Sequence, residues 1–126
     1  MKFKIVEEIK PENYGIEKYK FRSDGTLDVF QNVDLENKNL EELPFKFGKI
    51  DGDFDCSWNK LTSLEGAPKI VNGNFFCQYN KLTSLEGLNL DGIVGKIYIY
   101  GNPNLKLTEK EELWMTLNPG RLILEI

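Results

Sequence analysis

The octapeptide NKLTSLEG occupies residues 59–66 and recurs unchanged at 80–87, so its two copies start 21 residues apart. Working outward, FDCSWNKLTSLEG at 54–66 aligns with FFCQYNKLTSLEG at 75–87, and Gly52 and Gly73 precede the two copies. One period earlier lies VDLENKNLEELP, where Val33, Leu35, Leu40 and Leu43 stand for Phe54, Cys56, Leu61 and Leu64. Downstream, GKIYIYGNPNL at 95–105 restores the pattern with one residue inserted. Ile97 and Ile99 then take the inward places, and Asn102 takes that of Asn59 and Asn80.

Self-similarity at a period of about 20–29 residues marks units too small to bury their own apolar face, which must therefore stack on their neighbours. Within each unit the F-x-C alternation predicts a short strand. Phe54 and Cys56 point inward, while Asp55 and Ser57 point outward. The Asn that follows suits a strand exit, because its amide both donates and accepts and can satisfy backbone groups that a parallel ladder leaves unpaired. Stacked Asn59 and Asn80 are expected to form a polar ladder at that corner. Gly52, Gly73 and Gly95 are expected to serve tight turns before each strand.

The φ-x-φ-x-x-N-x-L-x-x-L pattern, with φ an apolar residue, resembles the leucine-rich repeat in a short form. The wording F-x-C-x-x-N-x-L-T-S-L-E-G is closer still to degenerate leucine-rich repeats in uncharacterised bacteriophage-encoded proteins. The resemblance covers about residues 28–105. Two departures stand out: Lys38 occupies the Asn position of the first unit, between Asn37 and Asn39, and the last unit carries an insertion and Pro103. The resemblance implies a mainly β fold, a curved solenoid with a parallel ladder that binds protein, and it implies no chemistry of its own.

Open repeat arrays expose their end rungs, so atypical flanking segments are expected. Residues 1–27 read as an N-terminal β cap: IEKYKFRSDGTLDVFQNV alternates on either side of Ser23-Asp24-Gly25, a hairpin signal, and MKFKIVEEI reads as one more strand. Residues 106–126 read as a C-terminal cap. Thr108 and Glu111 have the spacing of a capping box, which predicts a helix over 109–117. Leu113 and Leu117, with Trp114 alongside, are expected to cover the final rung. Asn118-Pro119-Gly120 ends the helix, and RLILEI supplies a last strand. The whole chain, 1–126, reads as one domain.

Composition narrows the function. With 16 Lys and Arg against 20 Asp and Glu, the formal charge of −4 argues against nucleic-acid binding, which rests on clustered cations, and favours a basic or neutral partner. No stretch approaches the roughly 20 apolar residues of a membrane-crossing helix, and no signal peptide is evident, so a cytoplasmic protein is expected. The chain has no histidine, which removes the Ser-His-Asp and Cys-His nucleophilic sites and the commonest general acid–base residue. Cys56 and Cys77 share one position on successive units and read as buried thiols rather than a metal or disulfide pair. DGDFD at 51–55 begins like a calcium loop but has Cys56 where that loop needs Gly and Thr62 where it needs Glu, so no metal or other cofactor is expected. The chain contains no phosphate-binding glycine loop.

The outward strand positions are more informative. Stacked units place Asp34, Asp55, Phe76 and Tyr98 in one column and Glu36, Ser57, Gln78 and Tyr100 in the next, with Trp58 and Tyr79 just beyond. Exposed aromatics grouped in this way are typical of binding hot spots. The other arrangement has a terminal strand or the C-terminal helix lying over them, with Trp58 above all serving as packing. The function expected is a non-enzymatic protein-binding module using Asp53, Asp55, Phe76, Tyr98, Tyr100, Tyr79 and Trp58. If the chain is viral, it inhibits or modulates a host defence protein in the host cytoplasm. The alternative is a structural, self-associating virion or assembly component. The expected state is a monomer or weak homo-oligomer.

Overall fold

The computed structural model describes residues 9–126. The strand expected in MKFKIVEEI falls almost wholly on residues 1–8, outside the described residues. Among the described residues the structure is mainly β, with parallel strands in two sheets and one α-helix.

The five-stranded sheet follows the repeat. Its strands are β3 (Val33–Asp34), β5 (Phe54–Asp55), β7 (Phe75–Phe76), β8 (Ile97–Tyr98) and β9 (Leu122–Ile123), all parallel and in that order. Val33, Phe54, Phe75, Ile97 and Leu122 lie side by side in register. Each of these residues is buried, as are Leu35, Cys56, Cys77 and Ile99 one alternation further on. The Phe54 and Phe75 rings stack at 5.3 Å in the interior.

The four-stranded sheet comprises β1 (Tyr19–Phe21), β2 (Leu27–Val29), β4 (Phe47–Ile50) and β6 (Ile70–Val71). β1 and β2 form the expected antiparallel hairpin, with Gly25 at φ 88° in its turn. β2, β4 and β6 then pair in parallel, and a bridge from Val71 to Ile93 continues the row. The repeat did not announce this second sheet, because Ile50, Val71 and Ile93 recur singly, without a period-2 run. The hairpin thus lies at the N-terminal end of this ladder, paired with its first parallel strand. Leu61, Leu64, Leu82 and Leu85, the leucines of the doubled octapeptide, complete one continuous core cluster from Ile16 to Leu122.

Polar side chains tie successive units together. Asn80 Nδ2 donates to the carbonyls of Cys56 and Cys77 at 3.0 and 3.2 Å, and its Oδ1 accepts from the Leu61 amide at 3.0 Å. Asn59 and Asn102 act likewise. The expected Asn ladder is therefore realised through backbone groups of the preceding unit, not through Asn–Asn contacts. A second series runs through Asn32, Asp53 and Asn74, whose Oδ1 atoms accept from the amides of Asp53, Asn74 and Lys96 at 2.8, 2.7 and 2.8 Å.

These links also explain Gly73 and Gly95, which do not have the positive φ expected of turn glycines. A Cβ on Gly73 would lie 2.7 Å from the Gly52 carbonyl oxygen, and one on Gly95 would lie 2.7 Å from that of Gly73. The backbones approach too closely for any side chain.

At the C-terminal end, α1 (Glu109–Leu117) begins with the expected reciprocal bonds between Thr108 and Glu111. Its orientation differs from expectation. Leu113 and Leu117 are 58% and 70% exposed, while Trp114 and Met115 pack against the core. The reason is polar: Trp114 Nε1 donates to Asp91 Oδ1 at 2.8 Å, and the Arg121 guanidinium sits 5.1 Å over the Trp114 ring while its Nε donates to the Gly95 carbonyl. These contacts fix the helix rotation that the leucine spacing alone would set differently.

Candidate aromatic and acidic binding face

The outward columns take the register expected of them. Asp34 pairs with Asp55, Asp55 with Phe76, Phe76 with Tyr98, and Tyr98 with Ile123. β9 thus extends the ladder beside Tyr98. Helix α1 is fastened on the side of Asp91, so neither of these two elements lies over the rings, while the N-terminal strand expected in MKFKIVEEI falls outside the described residues.

Five rings make one continuous arc. Phe76 stacks on Tyr98 at 4.7 Å and 7°, Tyr98 meets Tyr100 edge-on at 6.5 Å, Tyr100 meets Tyr79 edge-on at 5.3 Å, and Tyr79 stacks on Trp58 at 4.1 Å and 23°. Four of the rings are half-buried by one another and by the sheet. Trp58 is 53% exposed, contrary to the packing role expected of it.

Trp58 and Tyr79 belong to a column whose left-handed backbone the sequence did not disclose. Asn37, Trp58, Tyr79 and Gly101 hold the same position on successive units, and all four adopt left-handed backbone angles, φ 54°, 55°, 57° and 74°. Asn and Gly enter that region readily, whereas a bulky aromatic residue there costs roughly 1–2 kcal/mol. Gly101 also makes room for its neighbour, since a Cβ there would meet the Tyr79 ring at 2.4 Å. The stack therefore runs from Gly101 through Tyr79 to Trp58, and the outer face of Trp58 looks toward the unit of Asn37.

The acidic end adjoins this open face. Asp34, Glu36 and Asp55 each offer a carboxylate oxygen, all within 4.8 Å of one another. Among the described residues, the ion pairs are Arg22–Asp28 and Lys49–Asp51, and neither includes this trio. The three carboxylates of DGDFD alternate in sequence but do not share one strand face. Asp51 lies by Lys49 and accepts from Asn72, Asp53 accepts the Asn74 amide, and only Asp55 joins the acidic trio. Ser57, expected to point outward, is 1% exposed. Its short hydroxyl folds back to donate to Asp55 Oδ1 at 2.6 Å, between the longer Glu36 and Gln78 of the adjoining strands. Gln78 Oε1 is shielded from solvent and has no hydrogen-bond partner among the described residues.

Cys56 and Cys77 are free, fully buried thiols. Burial raises both pKa values, with the neighbouring Cys77 and Asp55 adding to the effect at Cys56 and Asp55 at Cys77. Thiols held protonated in the interior are poor nucleophiles and metal ligands.

Comparison with family models, curated proteins and solved structures returns no match to this chain. Among the described residues no helix is long and apolar enough to cross a membrane.

Proposed function

We propose that the parallel ladders are the strands of a short leucine-rich-repeat solenoid, and that the chain is a non-enzymatic module binding a protein partner through its outward ladder face. The observation that carries this is the pair Trp58 and Tyr79. Each occupies a left-handed position that Asn37 and Gly101 fill with less strain, and Trp58 leaves more than half of its surface in solvent. Strained, exposed aromatics serve recognition better than stability. Absence of histidine supports a role without acid–base catalysis. The resemblance to phage-encoded repeats extends the proposal to a modulator or inhibitor of a host protein, acting in the host cytoplasm.

Capture from a host lysate, read by quantitative mass spectrometry, tests this. A partner retained by the native chain should be lost from Trp58→Asn and Tyr79→Asn at unchanged melting temperature. Equal capture by all three chains would remove the proposal. The self-associating alternative draws on the exposed Leu113 and Leu117 of α1. Light scattering over a concentration series decides it, since a monomer throughout counts against assembly.

A further inference from the structure

Resting on the protein-binding role above, we infer that the partner presents an arginine, its guanidinium lying on the open face of Trp58 beside the carboxylates of Asp34, Glu36 and Asp55. One face of the Trp58 ring is taken by Tyr79 at 4.1 Å, and Tyr79 in turn is backed by Gly101. The other face looks along the column to Asn37, an exposed and short residue one strand spacing, about 4.8 Å, away. A planar group stacked there lies at the level of the Asn37 unit, whose strand carries Asp34 and Glu36. Ladder bonding fixes that adjacency: the Asn37 amide donates to the Ser57 carbonyl at 3.2 Å, and the Leu35 amide donates to that of Asp55 at 2.7 Å.

The chemistry then selects the occupant. An indole face attracts cations, and the adjoining carboxylates, unpaired with any cation among the described residues, supply complementary charge. Arginine fits both at once, because its plane stacks on the ring while its forked donors meet carboxylates in pairs; an ammonium does neither as well. A sugar ring would need a broad open aromatic platform, whereas in this arc Tyr79 has one face covered by Trp58, and Phe76 and Tyr98 cover one face of each other.

A library of random twelve-residue peptides, displayed on messenger RNA and selected on the full chain at low salt, tests the inference. Arginine should be enriched in the retained peptides. The best synthetic peptide should bind at least tenfold more weakly with citrulline in place of that arginine, and several-fold more weakly with lysine. Trp58→Asn should lose about tenfold and Glu36→Gln about threefold to fivefold, with raised salt weakening binding further. Retained peptides that lack arginine, or that bind equally well with citrulline, overturn the arginine inference. If their binding falls in Phe76→Ala or Tyr79→Asn, protein binding by the face survives. Absence of any enriched peptide counts against both.

Discussion

Trp58 and Tyr79 stack at 4.1 Å while both hold left-handed backbone angles, φ 55° and 57°. The stack stabilises by about 0.5–1.5 kcal/mol, and the left-handed angle at Trp58 alone costs about 1–2 kcal/mol, so exchanging Trp58 for Asn gives up the first, relieves much of the second and is close to neutral. Trp58→Asn should therefore shift the melting temperature by less than about 5 °C in either direction. A fall of more than 10 °C would mean that the ring is structural and would weaken the recognition role.

Asn80 should behave in the opposite manner. It is nearly buried and satisfies the Leu61 amide and the carbonyls of Cys56 and Cys77. Asn80→Ala strands those groups away from water, at a cost of about 2–4 kcal/mol. Urea unfolding followed by far-ultraviolet circular dichroism would measure it, and a loss below 1 kcal/mol would contradict the assigned role.

Two kinds of glycine should separate experimentally. Gly73→Ala drives a Cβ to 2.7 Å from the Gly52 carbonyl, an overpacking that costs about 1–3 kcal/mol and moves backbone amide resonances in both adjoining units. Gly120→Ala meets nothing within 4 Å and pays only for its φ of 77°, so its resonance shifts should stay local to the end of α1.

The helix offers a test that the sequence alone would have set backwards. Leu113→Gln and Leu117→Gln should leave stability within about 0.5 kcal/mol, since both side chains are mostly in solvent. Trp114→Ala, which removes the bond to Asp91 and the platform under Arg121, should cost about 2 kcal/mol. A reversed order would show that the leucine stripe is the packed face.

Alkaline pH should expose the thiols. Cys56 and Cys77 stay protonated in the folded chain because burial raises their pKa, whereas unfolded cysteines ionise near pH 8.5. Above about pH 8.5 the unfolded state therefore binds fewer protons, and stability falls with rising pH by up to about 1.4 kcal/mol per unit for each thiol. Below that pH neither form is ionised and the slope vanishes. Replacing both by Ala should flatten the alkaline limb, and native protein should resist a thiol reagent that labels both residues in urea.

Much of this arrangement was legible in the doubled octapeptide. Burial at period 2 marks each F-x-C stretch as a strand, and exact repetition sets successive strands in the same direction, which places Phe54 on Phe75 in a parallel ladder and Asn59 next to Asn80. The second sheet was hidden, because Ile50, Val71 and Ile93 supply one inward residue per unit and the apolar Ile70 and Val94 beside them are exposed, so no alternation marks them. The left-handed column was hidden for a different reason. Asn37 and Gly101 signal it locally, but Trp58 and Tyr79 sit there against their own preference, and only the surrounding ladder holds them. The helix was misoriented because leucine spacing describes an isolated helix, whereas one indole N–H bonded to Asp91 sets its rotation on the sheet. Ser57 shows that outward position and exposure are different things when the side chain is shorter than its flanks.

The Asn32, Asp53 and Asn74 acceptors each reach forward to an amide 21 or 22 residues on. Such bonds are indifferent to how many units precede or follow them. Excising residues 54–74 joins Asp53 directly to Phe75 and leaves Asp53 facing the Lys96 amide in the role that Asn74 had, so a shorter chain should still close every link. Gene duplication or loss of one period is therefore a conservative change for this architecture, and the outward ladder face can lengthen or shorten by whole steps without redesign of the interior.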